Sequence, residues 1–275
     1  MLPTTPRFWR DPALPFLEAR AIADGRGLCY APHSHETFSV GVVLGGESRY
    51  VNGPTREWVG RGTLVLMNPG EVHACNPRAD RAWRYLMLYL DPAWLAAVQG
   101  RADSDFQPLA AQLARDPCLT VGLVRLYRRL LDADASPLER QGHAWDYAST
   151  LLERLGAPRP PLSDASDPPR LRLAADYLAD RCAEAISLDD LSQAVGLSPT
   201  HLIRSFKRRY GLTPHAYLID QRIRLARQRL RQGEELAEVA LATGFADQAH
   251  LQRTFKRLVA ATPGQYRSAS ALPQQ

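Results

Sequence analysis

The chain has 275 residues, 45% of them hydrophobic and 23% charged, a balance that belongs to globular proteins and excludes disordered, collagen-like and fibrous chains. No run approaches the roughly 18 consecutive apolar residues that a membrane-spanning helix needs, and the opening MLPTTPRFWRDP has no basic region followed by an apolar one, so a cytoplasmic protein without a membrane partner is expected. The formal charge of +5 is unevenly held: from Pro168 to Gln275, 16 Lys+Arg face 10 Asp+Glu, or +6, which leaves 18 against 19, or −1, for residues 1–167.

A basic C-terminal part beside a neutral N-terminal one suits a polyanion partner at that end, or simply a solvated surface. The four cysteines, Cys29, Cys75, Cys118 and Cys182, are scattered without a CxxC pair, so neither a disulfide framework nor a zinc knuckle is expected.

In chain order, residues 28–91 carry short β-rich runs, Phe38 to Leu44, Ser48 to Val51, Thr63 to Met67 and Trp83 to Leu90, separated by turn signals such as Gly45-Gly46, Asn52-Gly53-Pro54 and Asn68-Pro69-Gly70. That spacing predicts a small antiparallel barrel or sandwich. Side chains two apart in a strand share a face, so His33 and His35 point together, as do His73 and Cys75. If the two segments pair, three imidazoles converge, with Glu36 or Cys75 beside them, a set that suits a divalent transition metal. The same histidines also suit hydrogen bonding at a barrel mouth or contact with an organic effector. Tyr30, Trp58, Trp83 and Tyr85 either enclose such a ligand or fill the core. Arg49, Arg56 and Glu71 either fix a charged metabolite or serve as ordinary surface charges.

From Pro92 to Leu155 the period becomes helical: Leu123, Leu126, Leu130 and Leu131 fall three and four apart, as do Ala148, Leu151, Leu152 and Leu155. These helices either close the barrel or build a dimer contact. Residues 157–170, APRPPLSDASDPPR, hold five prolines and read as a semi-rigid linker.

Beyond it lies an internal repeat. Residues 201–217, HLIRSFKRRYGLTPHAY, match 250–266, HLQRTFKRLVAATPGQY, at an offset of 49, and Leu188/Leu236, Ser192/Ala240 and Gly196/Gly244 match at 48. The chain's two lysines, Lys207 and Lys256, sit at equivalent positions, which makes chance composition a poor explanation. Each copy predicts helix, tight glycine turn, helix. Ser198 and Asp247 are placed to cap the second helices, with Pro199 at a first helical position. Leu202 and Phe206, or Leu251 and Phe255, are spaced to pack inward. Thr200, Ile203, Arg204, Lys207 and Arg208 then face outward in one copy, and Gln248, Ala249, Gln252, Arg253 and Lys256 in the other.

That outer face has the chemistry of a major-groove reader: Arg takes guanine O6 and N7, Gln takes adenine N6 and N7, and Ile or Ala meets a thymine methyl. A merely solvated face carries Arg and Gln as well, and the duplication weighs against that plainer reading. Between the copies, Pro214 to Gln232 predicts one helix about 28 Å long, with Tyr217, Ile219, Ile223, Ala226 and Leu230 available for packing. Such a rod suits two readers about one DNA turn, roughly 34 Å, apart.

These residues resemble the AraC/XylS family of transcription regulators over about residues 171–267: A-x-x-x-G-F at Ala240, Gly244 and Phe245, L-x-x-x-F-K-R from Leu251 to Arg257, and T-P-x-x-Y-R at Thr262, Pro263, Tyr266 and Arg267. Ala260 stands where the family usually has Gly, and Ser192 where it usually has Ala; a left-handed turn at Ala260 costs about 1 kcal/mol. The resemblance implies an α+β two-domain protein. Residues 1–157 would form a cupin-like effector-binding barrel with helices, 158–170 a proline-rich linker, and 171–275 an all-α domain of two helix-turn-helix units joined by a long helix. His33-Ser34-His35-Glu36 with Gly41, and Pro69-Gly70-Glu71-Val72-His73, look like the two cupin motifs.

The expected function is a sequence-specific double-stranded DNA-binding regulator, an activator by resemblance, with a repressor still open. A small-molecule effector would bind near Tyr30, His33, His35, Trp58, His73 and Trp83. Expected partners are a second copy through the 93–155 helices and, for an activator, RNA polymerase. The rival is a cupin metalloenzyme, an oxygenase or isomerase using His33, His35 and His73; a non-specific nucleoid protein is the third reading, marked by a steep salt slope. No Ser-His-Asp or Walker signature supports hydrolase or ATPase chemistry.

Overall fold

The computed structural model describes residues 6–78, 81–101, 105–158 and 169–268. The chain folds as two units, one drawn mainly from residues before the proline-rich stretch and one mainly from residues after it. Most of that stretch, 159–168, lies outside the described residues, and where description resumes Pro169 and Arg170 already open a helix instead of ending the linker. Among the described residues no helix is long and apolar enough to cross a membrane.

The N-terminal unit is built on β1 (Arg7–Trp9), β2 (Leu17–Ile22), β3 (Phe38–Gly45), β4 (Glu47–Asn52), β5 (Thr55–Gly60), β6 (Leu64–Met67), β7 (His73–Pro77), β8 (Arg84–Leu90) and β9 (Leu113–Ala114). They form a six-stranded sheet, β1-β2-β8-β3-β6-β9, and a three-stranded one, β5-β4-β7, antiparallel throughout. The two ladders do not join, so the architecture is the two-sheet alternative and not a closed barrel. Tyr50 of the small sheet donates its hydroxyl to the Leu66 carbonyl of the large one at 2.8 Å and ties them together.

One face of the large sheet is apolar at every second position, with Ala19 and Ala21, Phe38, Val40 and Val42, Leu64 and Leu66, and Leu86, Leu88 and Leu90. Onto it pack helices α1 (Pro92–Val98), α2 (Pro117–Leu130) and α3 (Pro137–Leu155) through Leu95, Leu119, Leu123, Leu126, Ala148 and Leu151. Each fully buried leucine in this layer contributes about 1.5–3 kcal/mol. The helices therefore cover one face of the large sheet instead of closing a barrel. Asp116 caps α2 by accepting from Leu119 N, and Ser136 with Glu139 makes a reciprocal capping box at α3.

The C-terminal unit is all helical: α4 (Pro169–Asp180), α5 (Leu188–Val195), α6 (Pro199–Tyr210), α7 (Pro214–Arg231), α8 (Leu236–Ala242), α9 (Gln248–Val259) and α10 (Pro263–Arg267). Both predicted helix-turn-helix pairs are present, α5–α6 and α8–α9, and α7 joins them. At 18 residues, α7 is about 27 Å long. Leu202, Phe206, Leu251 and Phe255 are fully buried, as their spacing predicts. The duplication extends to the aromatic anchors: Phe206 meets Tyr217 and Phe255 meets Tyr266 edge-on, each pair at 5.4 Å between ring centroids. Gly211 ends α6 at φ +74, and Ala260 ends α9 at the equivalent left-handed position, φ +51, so the strain expected there is present.

Candidate nucleic-acid interface and histidine cluster

The reader helices begin differently. Asp247 caps α9 by accepting from His250 N at 2.6 Å, whereas Ser198 occupies the cap position of α6 with Pro199 behind it and makes no side-chain cap bond. Phe206 and Phe255 anchor the inner faces, which fixes what remains outside. Thr200, Arg204, Lys207 and Arg208 are exposed on α6 and Ile203 half-buried; Gln248, Ala249, Gln252, Arg253 and Lys256 are all exposed on α9. The structure thus brings every predicted base-reading or phosphate-binding side chain to an outer helix face. Each helix also carries basic residues in its last turn, Lys207, Arg208 and Arg209 in α6 and Lys256 and Arg257 in α9, where they complement the helix dipole.

In the first copy the Gly196 carbonyl accepts from Arg170 Nη1 of α4 at 2.9 Å; in the second the Gly244 carbonyl accepts from Arg222 Nη1 of α7 at 2.6 Å. The repeat therefore begins earlier than the matched helix-turn-helix segments. Arg170-Leu171-Arg172-Leu173-Ala174 corresponds to Arg222-Ile223-Arg224-Leu225-Ala226, and Leu178 to Leu230. Leu171, Ala174 and Leu178, like Ile223, Ala226 and Leu230, are buried. Each unit is thus three helices, the first supplying an arginine that holds the turn glycine's carbonyl. The signal that would have found these arginines is this alignment at an offset of 52, hidden because the loops after α4 and α7 differ in length.

In the N-terminal unit, strand pairing sets a second face of the large sheet, opposite the helices. Glu18 pairs with Tyr89, Arg20 with Met87, and Ser39 with Tyr89 and Met67 across the ladders. His35 and His73, both buried, approach this face: their rings lie edge-on at 4.5 Å, and His35 meets Tyr89 edge-on at 5.3 Å. The nitrogens that His33, His35 and His73 offer all lie within 4.8 Å of one another. His33 lies at an isolated β-bridge and His35 in irregular backbone, both ahead of β3, so a continuous strand's alternation is not what aligns them. Nδ1 of His33 sits 2.9 Å from Ala31 O, that of His73 2.9 Å from Glu71 O, and that of His35 3.1 Å from Ser39 Oγ.

Glu71 is committed elsewhere. Its carboxylate accepts from Asn52 Nδ2, Asn68 N and Asn68 Nδ2 at 2.8–3.1 Å and stabilises the turn before β7. It is a turn-holding group and not a surface charge. Beside it, burial pushes the Tyr50 hydroxyl pKa well up, and burial behind Ser48, 3.0 Å away, raises the Cys75 thiol to about 11.

The aromatic candidates part company. Tyr30 is buried and stacks on His33 at 5.7 Å, and Trp83 and Tyr85 are buried against each other at 4.4 Å. Trp58 is 55% exposed, paired with Arg49 on the outer face of the small sheet and covered by the Arg78 guanidinium. Its strand phase turns it away from the histidines, which corrects its expected place at the effector site.

Two family models match the chain, an AraC-like ligand binding domain over residues 16–147 and a helix-turn-helix domain over 191–269. The HTH-type transcriptional regulator YbfI of Bacillus subtilis is 31% identical over 224 residues, 80% of each protein. The arabinose operon regulatory protein of Escherichia coli is 28% identical over 228 residues, 78% of this chain and 74% of that one. Among solved structures, unsaturated fatty acid-bound ToxT from Vibrio cholerae superposes with a TM-score of 0.54 over 97% of both chains at 10% identity, a likeness of fold alone.

Proposed function

The chain belongs to the AraC family of transcription regulators, and from that premise we propose that it reads an extended operator with α6 and α9 while its N-terminal unit binds a small molecule that alters this reading. Like its relatives, it is a DNA-binding regulator with an effector domain and not an enzyme, so the metalloenzyme alternative falls. One observation carries the DNA assignment: two recognition helices with the same buried anchors both present exposed Arg and Lys at equivalent positions. Arg204 and Arg253 take the base-reading role, and Lys207, Arg208 and Lys256 the phosphate-binding one.

Small-molecule binding is assigned to the His35, His73 and Tyr89 face of the N-terminal unit, with Tyr30, His33 and Trp83 as further candidates. The same three histidines suit a divalent transition metal. The Nδ1 bonds of His33 and His73 to backbone carbonyls favour the tautomer whose Nε2 carries the lone pair, the supporting arrangement that metal-binding imidazoles use, while the Ser39 hydroxyl at His35 Nδ1 can donate or accept. Such an ion would supply a positive anchor for an oxygen-rich effector. Activation through RNA polymerase and dimerisation through α2 and α3 belong to the same reading; Val121, exposed in the groove between those helices, supports the second.

The test is selection from a random duplex pool by the purified full chain, followed by footprinting with candidate metabolites, and metal content before and after chelation. Enrichment of one extended site whose affinity shifts about 5- to 150-fold with a metabolite is expected, which corresponds to a coupling of about 1–3 kcal/mol. Binding without sequence preference and with a steep salt slope would defeat the operator reading. Histidine variants that bind effector and metal as the parent does would defeat the assignment of the histidine site.

A further inference from the structure

The two turn-holding arginines differ in one respect. Among the described residues, Arg170 reaches only Gly196 O, within its own three-helix unit. Arg222 uses every guanidinium nitrogen. Besides Nη1 to Gly244 O, its Nε donates to Cys182 O at 2.8 Å and its Nη2 to Glu184 O at 2.8 Å. Cys182 and Glu184 lie in the loop between α4 and α5, inside the first unit, whereas Gly244 is the turn of the second. A single planar fork therefore fastens the turn before α9 to the loop before α5. The backbone beneath is correspondingly close: a Cβ on Gly244 would stand 2.6 Å from Ala183 O, while one on Gly196 would find nothing nearer than an Arg170 side-chain atom at 3.9 Å.

We propose that Arg222 is a positioning residue for DNA reading, setting the separation and rotational phase of the two recognition helices and so the base-pair spacing the protein accepts. The inference rests on the operator reading above. α7 alone fixes the distance between the units along its axis, but side-chain packing leaves rotation about a rod softly determined. Three directional bonds from one rigid group to the second unit's turn and the first unit's α4–α5 loop remove that freedom. Spacing is the sensitive readout, because one inserted base pair moves the second subsite by about 3.4 Å and turns it by about 34°.

The experiment takes the site that the full-length parent selects from a random pool and inserts one or two base pairs between its two subsites. Binding of the parent, Arg222→Lys, Arg222→Met and Arg170→Met is measured on each duplex. The parent is expected to lose at least about tenfold per insertion, comparable to a mismatched base pair. Arg222→Lys, which keeps the charge and loses the fork, and Arg222→Met are expected to lose no more than about threefold on the same DNA, with lower affinity for the original site. Arg170→Met is expected to keep the parental spacing profile. Parental profiles in both Arg222 variants would overturn the proposal, as would equal flattening in Arg170→Met, which would mark general loosening. A parent that selects no sequence at all defeats the operator reading instead.

Discussion

Gly196 and Gly244 occupy the same turn of the two repeats, with φ of +64 and +75, yet the structure predicts very different costs for replacing them with alanine. In Gly196→Ala the added methyl makes only ordinary van der Waals contact, 3.9 Å from Arg170 Nη1, so only conformation matters. A left-handed alanine costs about 1–2 kcal/mol, offset by about 0.4–1 kcal/mol from the stiffer unfolded chain, leaving about 1 kcal/mol. In Gly244→Ala the same methyl would stand 2.6 Å from Ala183 O and 3.0 Å from Arg222 Cζ, inside the limit that real Cβ atoms respect. The loop must retreat, and the Arg222 bonds to its neighbours Cys182 and Glu184 lengthen with it. Losing one such charge-assisted bond adds about 1.5–3 kcal/mol, so the total reaches about 2.5–4 kcal/mol. Denaturant unfolding of the full chain, followed by helical circular dichroism, measures both variants against the parent. Equal losses at the two glycines would refute the close apposition and, with it, the interlock at Arg222.

Arg204→Ala and Arg253→Ala are each expected to lose about 1–3 kcal/mol of discrimination against substituted operator bases, with thermal unfolding unchanged; anisotropy titrations on the selected site and its point variants measure this, and parental selectivity in both rules the assignment out. Tyr266→Phe removes a buried hydroxyl that accepts from Arg227 Nε at 3.1 Å and Arg231 Nε at 3.0 Å, and should cost about 1.5–3 kcal/mol in the same unfolding assay. Because its pKa is raised to about 11, the Cys75 thiol stays protonated at neutral pH and becomes reactive only as pH climbs toward that value. Timed alkylation with mass-spectrometric mapping at pH 8 should label exposed Cys29 and Cys118 ahead of half-buried Cys75, and a Cys75 modified as fast as Cys29 contradicts its raised pKa.

The C-terminal unit was legible because a repeat supplies its own alignment: Phe206 and Phe255 fix the inner faces, and everything outward follows from helical period. The N-terminal unit yielded less. β2 reads Leu-Glu-Ala-Arg-Ala-Ile, and its charges argue for surface, yet Glu18 and Arg20 are buried, Glu18 through its pair with Arg10 at 2.7 Å. Partners remote in sequence decided that strand, and composition does not contain them. Trp58 was misplaced because alternation gives two faces without saying which one is inside. The histidines were found, though by motif and not by the strand geometry invoked for them, since His33 and His35 stand outside any continuous strand. Arg170 and Arg222 were missed because unequal loops shift the repeat's register from 52 to 48 between the first helix and the turn.

The two copies have kept their hydrophobic anchors and basic last turns but changed the residues that enter first: Pro199, Thr200 and Ile203 stand where Gln248, Ala249 and Gln252 do. A duplicated reader with unlike tips cannot treat the two ends of its site as equals. The C-terminal unit of one polypeptide would therefore lie on the duplex with a head and a tail, and inverting the site would turn that unit to face the opposite way along the DNA.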